Sequence, residues 1–122
     1  MRMARKHVHL AAYERFKADA SRGEISEGLR VEALFLAAFH LIDACAAQSN
    51  VHIGKHQNVR RTLEGNPRIL GAETEAAWRA FQNLETRVRP KFVYGGGGTP
   101  ADLQEAQDLF SKIEGTCRTV LR

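Results

Sequence analysis

The sequence contains few cysteines, few prolines and few aromatic residues. It contains two cysteines, three prolines and 7% aromatic residues in 122 residues. Two cysteines cannot supply the several cross-links of a disulfide-stabilised secreted domain. A chain of this length is nevertheless long enough to bury one hydrophobic core. We therefore expect a single domain, residues 1–122, that folds without disulfides.

Long apolar runs are also missing. The charged start, residues 1–6, is not followed by the apolar segment of a secretory signal. Four polar residues interrupt the most apolar stretch, 29–47: Arg30, Glu32, His40 and Asp43. This pattern predicts a buried helix and no membrane span. We expect a cytoplasmic protein.

The excess of positive over negative charge is small. Eighteen lysines and arginines stand against 14 aspartates and glutamates, for a net charge of +4. This balance permits an anionic partner such as RNA but does not require one.

What the sequence does contain is helical periodicity. Apolar residues recur with a 3.6-residue period in four long segments: 4–21, 26–48, 72–92 and one with Thr99 as N-cap and Pro100 as first residue. A weaker pattern predicts a short helix over 55–64, and Pro90 is expected to kink or end the third long helix. We predict an all-α fold, an antiparallel up-and-down four-helix bundle with a short extra helix between the second and third long helices.

Cysteine and histidine spacing argues against a metal site. Cys45 and Cys117 lie in apolar helical patterns and are expected to be small core residues. His7 and His9 are two residues apart and would face different sides of a helix. A second pair has helical spacing, but Gly54 stands inside it: His52 and His56. With no cluster of carboxylates nearby, the sequence predicts no metal and no cofactor.

One polar pair lies on the apolar second helix. His40 and Asp43 are three residues apart and share one face. They could form a general base with its orienting carboxylate. The alternative is a polar pair that is satisfied inside the core or at an interface.

Cations concentrate in two places. Lys55, Arg60, Arg61 and Arg68 flank the middle of the chain, where only Glu64 opposes them; Arg87, Arg89 and Lys91 end the third long helix with no acid among them. Both groups suit phosphate recognition, although solvated surfaces are the simpler interpretation. In an up-and-down bundle the groups would lie about 30 Å apart, at about 1.5 Å per residue along one helix.

Several short motifs, in this order, resemble the HEPN superfamily over residues 10–120. They are Ala37-Ala38-Phe39-His40, then Gly54-Lys55-His56-Gln57-Asn58-Val59, then 87–94 followed by a glycine turn and Thr99-Pro100-Ala101-Asp102. The resemblance implies a small antiparallel helical bundle, commonly dimeric. Members of the family include ribonucleases and toxins, often paired with a small nucleotidyltransferase, and non-catalytic modules that bind RNA or nucleotides.

The family's ribonuclease motif is incomplete here. Arg87 matches its arginine and Tyr94 its tyrosine, but Phe92 occupies the position of the histidine. Phenylalanine can neither move a proton nor bind a scissile phosphate by hydrogen bonds. The resemblance therefore implies the fold without an intact ribonuclease site.

From this resemblance we expect an RNA- or nucleotide-associated module of a toxin–antitoxin or defence system. Arg87, Arg89 and Lys91 would contact phosphate, and Tyr94 would stack, donate a hydrogen bond or accept a nucleotide from a nucleotidyltransferase-type partner. A homodimer is expected, with the small-residue second helix as part of its interface. Two alternatives remain: a non-enzymatic dimeric interaction or scaffold protein, and an active metal-independent ribonuclease with His40 as its base, for which Asp43 and Arg87 are the other catalytic candidates.

Overall fold

The computed structural model describes residues 2–93 and 97–122, without the side chains of residues 2–4 and 93. Within these ranges the chain forms helices and turns, and no strand. The predicted all-α class is confirmed for this part of the chain. Among the described helices, none is both long enough and apolar enough to cross a bilayer.

Six α-helices follow one another in the described part of the chain. They are α1 Arg2–Ala20, α2 Glu27–Gln48, α3 Val59–Gly65, α4 Thr74–Asn83, α5 Arg89–Val93 and α6 Pro100–Val120. Short 3-10 turns, His56–Asn58 and Gly71–Glu73, precede α3 and α4, and a π-helical turn, Leu84–Val88, joins α4 to α5. The short helix predicted between the second and third long helices is thus present as α3.

Capping side chains set the starts of two long helices. The Ser26 hydroxyl accepts a hydrogen bond from the backbone N–H of Leu29 at the start of α2. Thr99 and Asp102 form a reciprocal capping box at the start of α6, with Pro100 in the first turn. Such caps satisfy backbone donors that have no partner inside the helix.

The third long helix, predicted over 72–92 with a kink or an end at Pro90, is not ended by this proline. The chain stays helical for three residues beyond it, to Val93. The irregularity comes earlier, in the π-helical turn Leu84–Val88. A proline cannot donate to the carbonyl four residues before it, here that of Thr86. The wider turn changes the pairing of the carbonyls at this point, so the helix continues past the proline.

Contacts at both ends show that α1 and α2 run antiparallel. Lys6 of α1 donates to the side-chain carbonyl of Gln48 at the end of α2, at 2.8 Å. At the opposite end, Arg30 of α2 donates to the backbone carbonyl of Ala20, also at 2.8 Å. These two helices therefore face each other along their whole length.

The core is built around α2. Helix α2 alone has thirteen buried residues: Val31, Ala33, Leu34, Phe35, Ala37, Ala38, Leu41, Ile42, Asp43, Ala44, Cys45, Ala46 and Ala47. The small-residue face that we expected at a dimer interface is thus covered by the other helices of the same chain. Asp43 is the only charged residue in this buried set. Because a buried charge requires partners, its surroundings are a candidate functional site.

The two cysteines are buried and free. Cys45 of α2 lies against the end of α6, where its thiol is 3.7 Å from the backbone carbonyl oxygen of Cys117. The neighbouring Cys45 and burial together raise the pKa of the Cys117 thiol. The prediction that both are small core residues is confirmed.

Candidate functional site

The antiparallel pairing of α1 and α2 gathers polar side chains between their faces. His9 lies on α1, and His40 and Asp43 lie on the face of α2 that is turned toward it. The three-residue spacing of His40 and Asp43 lets both side chains reach the same neighbour, because residues three apart are adjacent on a helix.

Asp43 is buried, with 1% of its surface exposed. Its Oδ1 accepts a hydrogen bond from the backbone N–H of Ile53 at 3.2 Å. Its Oδ2 lies 3.3 Å from Nε2 of His9, but the two atoms are not in hydrogen-bonding geometry, and Oδ2 has no hydrogen-bond partner among the described residues. A buried polar atom left without a partner costs about 1–3 kcal/mol, and more when it is charged.

His9 bridges Asp43 and His40. Its Nδ1 is 3.0 Å from Nδ1 of His40, and the two ring centroids are 5.2 Å apart. A hydrogen bond between these two nitrogens requires that only one of them carries a proton, so one ring donates and the other accepts. The His40 ring also stacks on Phe16, with centroids 5.8 Å apart and planes 9° from parallel.

The surroundings favour the neutral form of both rings. Burial lowers the pKa of His9; Asp43 opposes this effect, and Arg5 adds to it. Burial also lowers the pKa of His40, and the neighbouring His9 lowers it further. Neutral imidazole is the form that accepts protons and that ligates metal ions.

A third histidine joins this group from the loop after α2. One ligand atom each of His9, Asp43 and His52 lies within 4.8 Å of the other two, a set called here the His9–Asp43–His52 cluster. The ring of His52 folds back over Gly54, where a Cβ would lie 3.2 Å from its Nε2. Gly54 also has a φ of +78°, which favours glycine.

Sequence spacing alone did not identify this cluster. The structure does not join His40 directly to Asp43, because His9 lies between them. His52 does not pair with His56, whose Nδ1 instead contacts the Glu85 carboxylate at 2.5 Å.

The cluster takes one residue from α1, one from α2 and one from a loop. The available signal was a charged residue, Asp43, inside the most apolar helix of the chain. That signal marks one member but not its partners.

The predicted phosphate-binding cations of the third long helix are engaged within the chain. This α5 basic tip consists of Arg87, Arg89 and Lys91. Arg87 forms an ion pair with Glu105, Arg89 a two-pronged pair with Glu32 at 2.6 and 3.2 Å, and Lys91 a pair with Asp102 at 2.9 Å. The acids that were missing from the local sequence come from α2 and α6.

Phe92, which the HEPN resemblance predicts to occupy a histidine position, has a packing role. Its ring lies against the backbone at Gly98, where an added Cβ would come within 2.2 Å of it, and against Gly28 of α2. Tyr94, the last predicted site residue, lies outside the described residues.

The other group of cations has fewer internal partners. This α3 basic surface consists of Lys55, Arg60, Arg61 and Arg68. Arg60 lies 3.5 Å from Glu64 and stacks over Trp78 at 4.0 Å. Within the part of the chain that is described, no carboxylate lies within ion-pair distance of Lys55, Arg61 or Arg68.

The two groups of cations are closer than expected for opposite ends of a bundle. Lys55 precedes His56, which contacts Glu85, and Glu85 precedes Arg87 by two residues. The start of the α3 basic surface therefore approaches the start of the α5 basic tip.

Searches with this chain found no matching family model, no matching curated protein and no matching solved structure.

Proposed function

We propose that the chain is a HEPN-like, RNA- or nucleotide-associated helical module of a toxin–antitoxin or defence system, without an intact ribonuclease site. The observation that supports it best is the α3 basic surface. Its exposed cations Lys55, Arg61 and Arg68 have no carboxylate within ion-pair distance among the described residues. Their charges are available to a phosphate backbone, whose neutralisation supplies most of the sequence-independent affinity for nucleic acids.

Local contacts orient these side chains without neutralising them. Arg61 donates to the side-chain oxygen of Asn58 at 2.9 Å, and Arg68 donates to the backbone carbonyl of Ser49 at 3.1 Å. A guanidinium that uses one edge for a neutral acceptor still has donors for a phosphate. The stacking of Arg60 on Trp78 likewise holds its guanidinium plane in place.

The α5 basic tip stays part of the proposal as a secondary contact. Exposed ion pairs contribute about 0–1 kcal/mol, so a phosphate can compete with Glu105 for Arg87 or with Asp102 for Lys91. Tyr94 is proposed to stack on a base or to donate a hydrogen bond.

The experiment measures binding of the full chain to a mixed single-stranded RNA pool over a range of salt concentrations. We expect affinity to fall steeply as salt rises. The double variant Arg61→Ala/Arg68→Ala should bind more weakly with all RNA sequences, and its salt slope should fall by about 0.7 per lost phosphate contact.

A matched control removes two cations elsewhere. Arg22→Ala/Lys112→Ala has the same net charge as the test variant but changes residues outside both basic groups. Equal weakening by both double variants would show that only net charge matters and would contradict a defined surface. No binding at low salt would reject the RNA proposal and favour the non-enzymatic interaction or scaffold protein.

A ribonuclease with His40 as its base is the second candidate. Its support is the contact with His9, which orients the His40 ring, while burial lowers the pKa of His40 and so favours the neutral form that a base requires. Arg87 contacts α6 and His40 contacts α1, so none of the described contacts joins these two candidates. Cleavage of RNA that disappears in His40→Ala, with helicity unchanged, would support it; persistent cleavage would exclude His40.

The remaining expectations belong to the same proposal: an antiparallel four-helix bundle, a homodimer, a cytoplasmic location and a nucleotidyltransferase-type partner. The mass of the chain in solution, measured by light scattering, tests the homodimer. A monomer at micromolar concentration would contradict it.

A further inference from the structure

We propose that His9, Asp43 and His52 form a binding site for one divalent transition-metal ion of the zinc class, with a fourth coordination position open. The proposal is independent of RNA binding, since none of the three residues belongs to either basic group.

The separations between the ligand atoms fit a shared ion. Bonds of about 2.0–2.2 Å in tetrahedral geometry place two ligand atoms about 3.3–3.5 Å apart. Nε2 of His9 and Oδ2 of Asp43 are 3.3 Å apart. They are not in hydrogen-bonding geometry, which is what two atoms directed at a common third atom would show. The candidate atom of His52 lies within 4.8 Å of both, so a small movement of this exposed side chain completes the set.

An unsatisfied buried atom points into the same site. Among the described residues, Oδ2 of Asp43 has no hydrogen-bond partner, and only 1% of the surface of this residue is exposed. Its other oxygen is already held by the N–H of Ile53. A cation at the cluster would supply the missing partner of Oδ2 without disturbing this bond.

The loop that carries His52 is anchored on both sides of it. Arg5 of α1 donates to the backbone carbonyl of Val51 at 2.9 Å. The Ile53 N–H donates to Asp43. The backbone around His52 is therefore fixed to both helices that carry the other two ligands, which reduces the ordering required on binding.

His40 would act as a positioning residue. Histidines that bind a metal through one nitrogen usually donate the other N–H to a neighbouring acceptor, which sets the tautomer and the ring orientation. If His9 binds through Nε2, its Nδ1–H can donate to Nδ1 of His40, 3.0 Å away.

The donor set selects the class of ion. Two imidazoles and one carboxylate suit zinc and related divalent transition ions, whereas magnesium and calcium prefer sites made of oxygen. Three protein ligands with an open position are the pattern of sites that bind a water or a substrate. His52 is exposed, which provides an entry path from solvent. The charge of Arg5 opposes a cation here, and the Asp43 carboxylate offsets it.

The test uses the full, untagged chain and titrates it with Zn²⁺ by calorimetry and with Co²⁺ by visible absorption. We expect one ion per chain and the intense visible bands of a four-coordinate Co²⁺ site. His52→Ala and Asp43→Asn should each weaken binding by at least about tenfold, and His40→Ala by about 10–100-fold.

Matched controls are two histidines outside the cluster. His7→Ala removes an exposed ring from the same helix as His9, and His56→Ala removes a ring that contacts Glu85. Both variants should bind Co²⁺ like the wild type. His52→Ala decides the test if Asp43→Asn fails to fold, because the His52 side chain is exposed. Absence of binding, or binding that His52→Ala leaves unchanged, would overturn the proposal.

Discussion

The His9–Asp43–His52 cluster and the α5 basic tip differ in whether their charged groups have partners. In the tip, three cations that looked unopposed in the sequence each have a carboxylate partner. In the cluster, one oxygen of a buried carboxylate has no hydrogen bond from the described residues, although His9 and His52 lie beside it. The comparison shows that the density of charge in a sequence is a poor guide to a binding site.

The physical reason is that a charged group without a partner costs more free energy in the core than at the surface. At the surface, water solvates a cation whether or not a carboxylate is near, so pairing there is worth little. In the core a polar atom without a partner is also removed from bulk water, so the penalty remains until an ion or another partner binds. The cluster is therefore the better indicator of a ligand, and the tip is mainly a connection between helices.

Metal binding at the cluster should have the largest effect on the free energy of unfolding, and it should distinguish the cluster from the α5 basic tip. An ion that binds only the folded chain stabilises it by about 2.7 kcal/mol at a concentration 100 times its dissociation constant. We expect Zn²⁺ to raise the midpoint of urea unfolding of the wild type and of Arg87→Ala by the same amount, and not that of His52→Ala. An equal increase in all three would place the ion elsewhere.

Within the α5 basic tip, Arg89→Ala should have the largest effect. Arg89 makes a two-pronged, half-buried pair with Glu32 and lies over the Phe35 ring at 4.6 Å from its centroid. Loss of these contacts should lower the free energy of unfolding by about 1–2 kcal/mol. Urea unfolding followed by circular dichroism measures it.

Arg87→Ala is the matched comparison and should cost less. Its pair with Glu105 is exposed, and such pairs contribute about 0–1 kcal/mol. A larger loss for Arg87→Ala than for Arg89→Ala would contradict the view that burial decides the value of these pairs.

The smallest expected effect is a response to acid at the α5 basic tip. The hydrogen bond from Lys91, together with those from Thr99, holds the pKa of Asp102 below its usual value of 3.8. Because the folded pKa is the lower one, this contribution to stability is present above pH 3.8 and is lost as the pH falls through the folded value. Asp102→Asn should therefore lose less stability than the wild type as the pH falls below 3.8. Identical acid profiles would show that the negative charge of Asp102 contributes nothing to stability.

Local chemistry made several elements predictable. The Thr99 cap with Pro100, the amphipathic α1 and the short α3 were expected close to where the structure has them. Each depends on residues a few positions apart, whose preferences act within one turn. Pro90 shows the limit, since its effect depends on a π-helical turn that no local pattern announced.

The candidate sites were less predictable. The acids that engage the α5 basic tip lie far from it in sequence, as Glu32 does from Arg89. His9 and His52 reach Asp43 only because α1 and α2 pack antiparallel and the loop after α2 is held by Arg5. Spacing rules search for ligands on one element and cannot find a set divided among three.

By itself, the sequence determined that this chain is helical, where most of its helices begin, and that its cysteines belong to the core, because these properties follow from the periodicity and capping of nearby residues. Only the tertiary structure decided which charges are paired, that His9 stands between His40 and Asp43, and that no donor among the described residues reaches one oxygen of Asp43. These features depend on distances between residues remote in sequence, which are set when the apolar faces of different helices pack together.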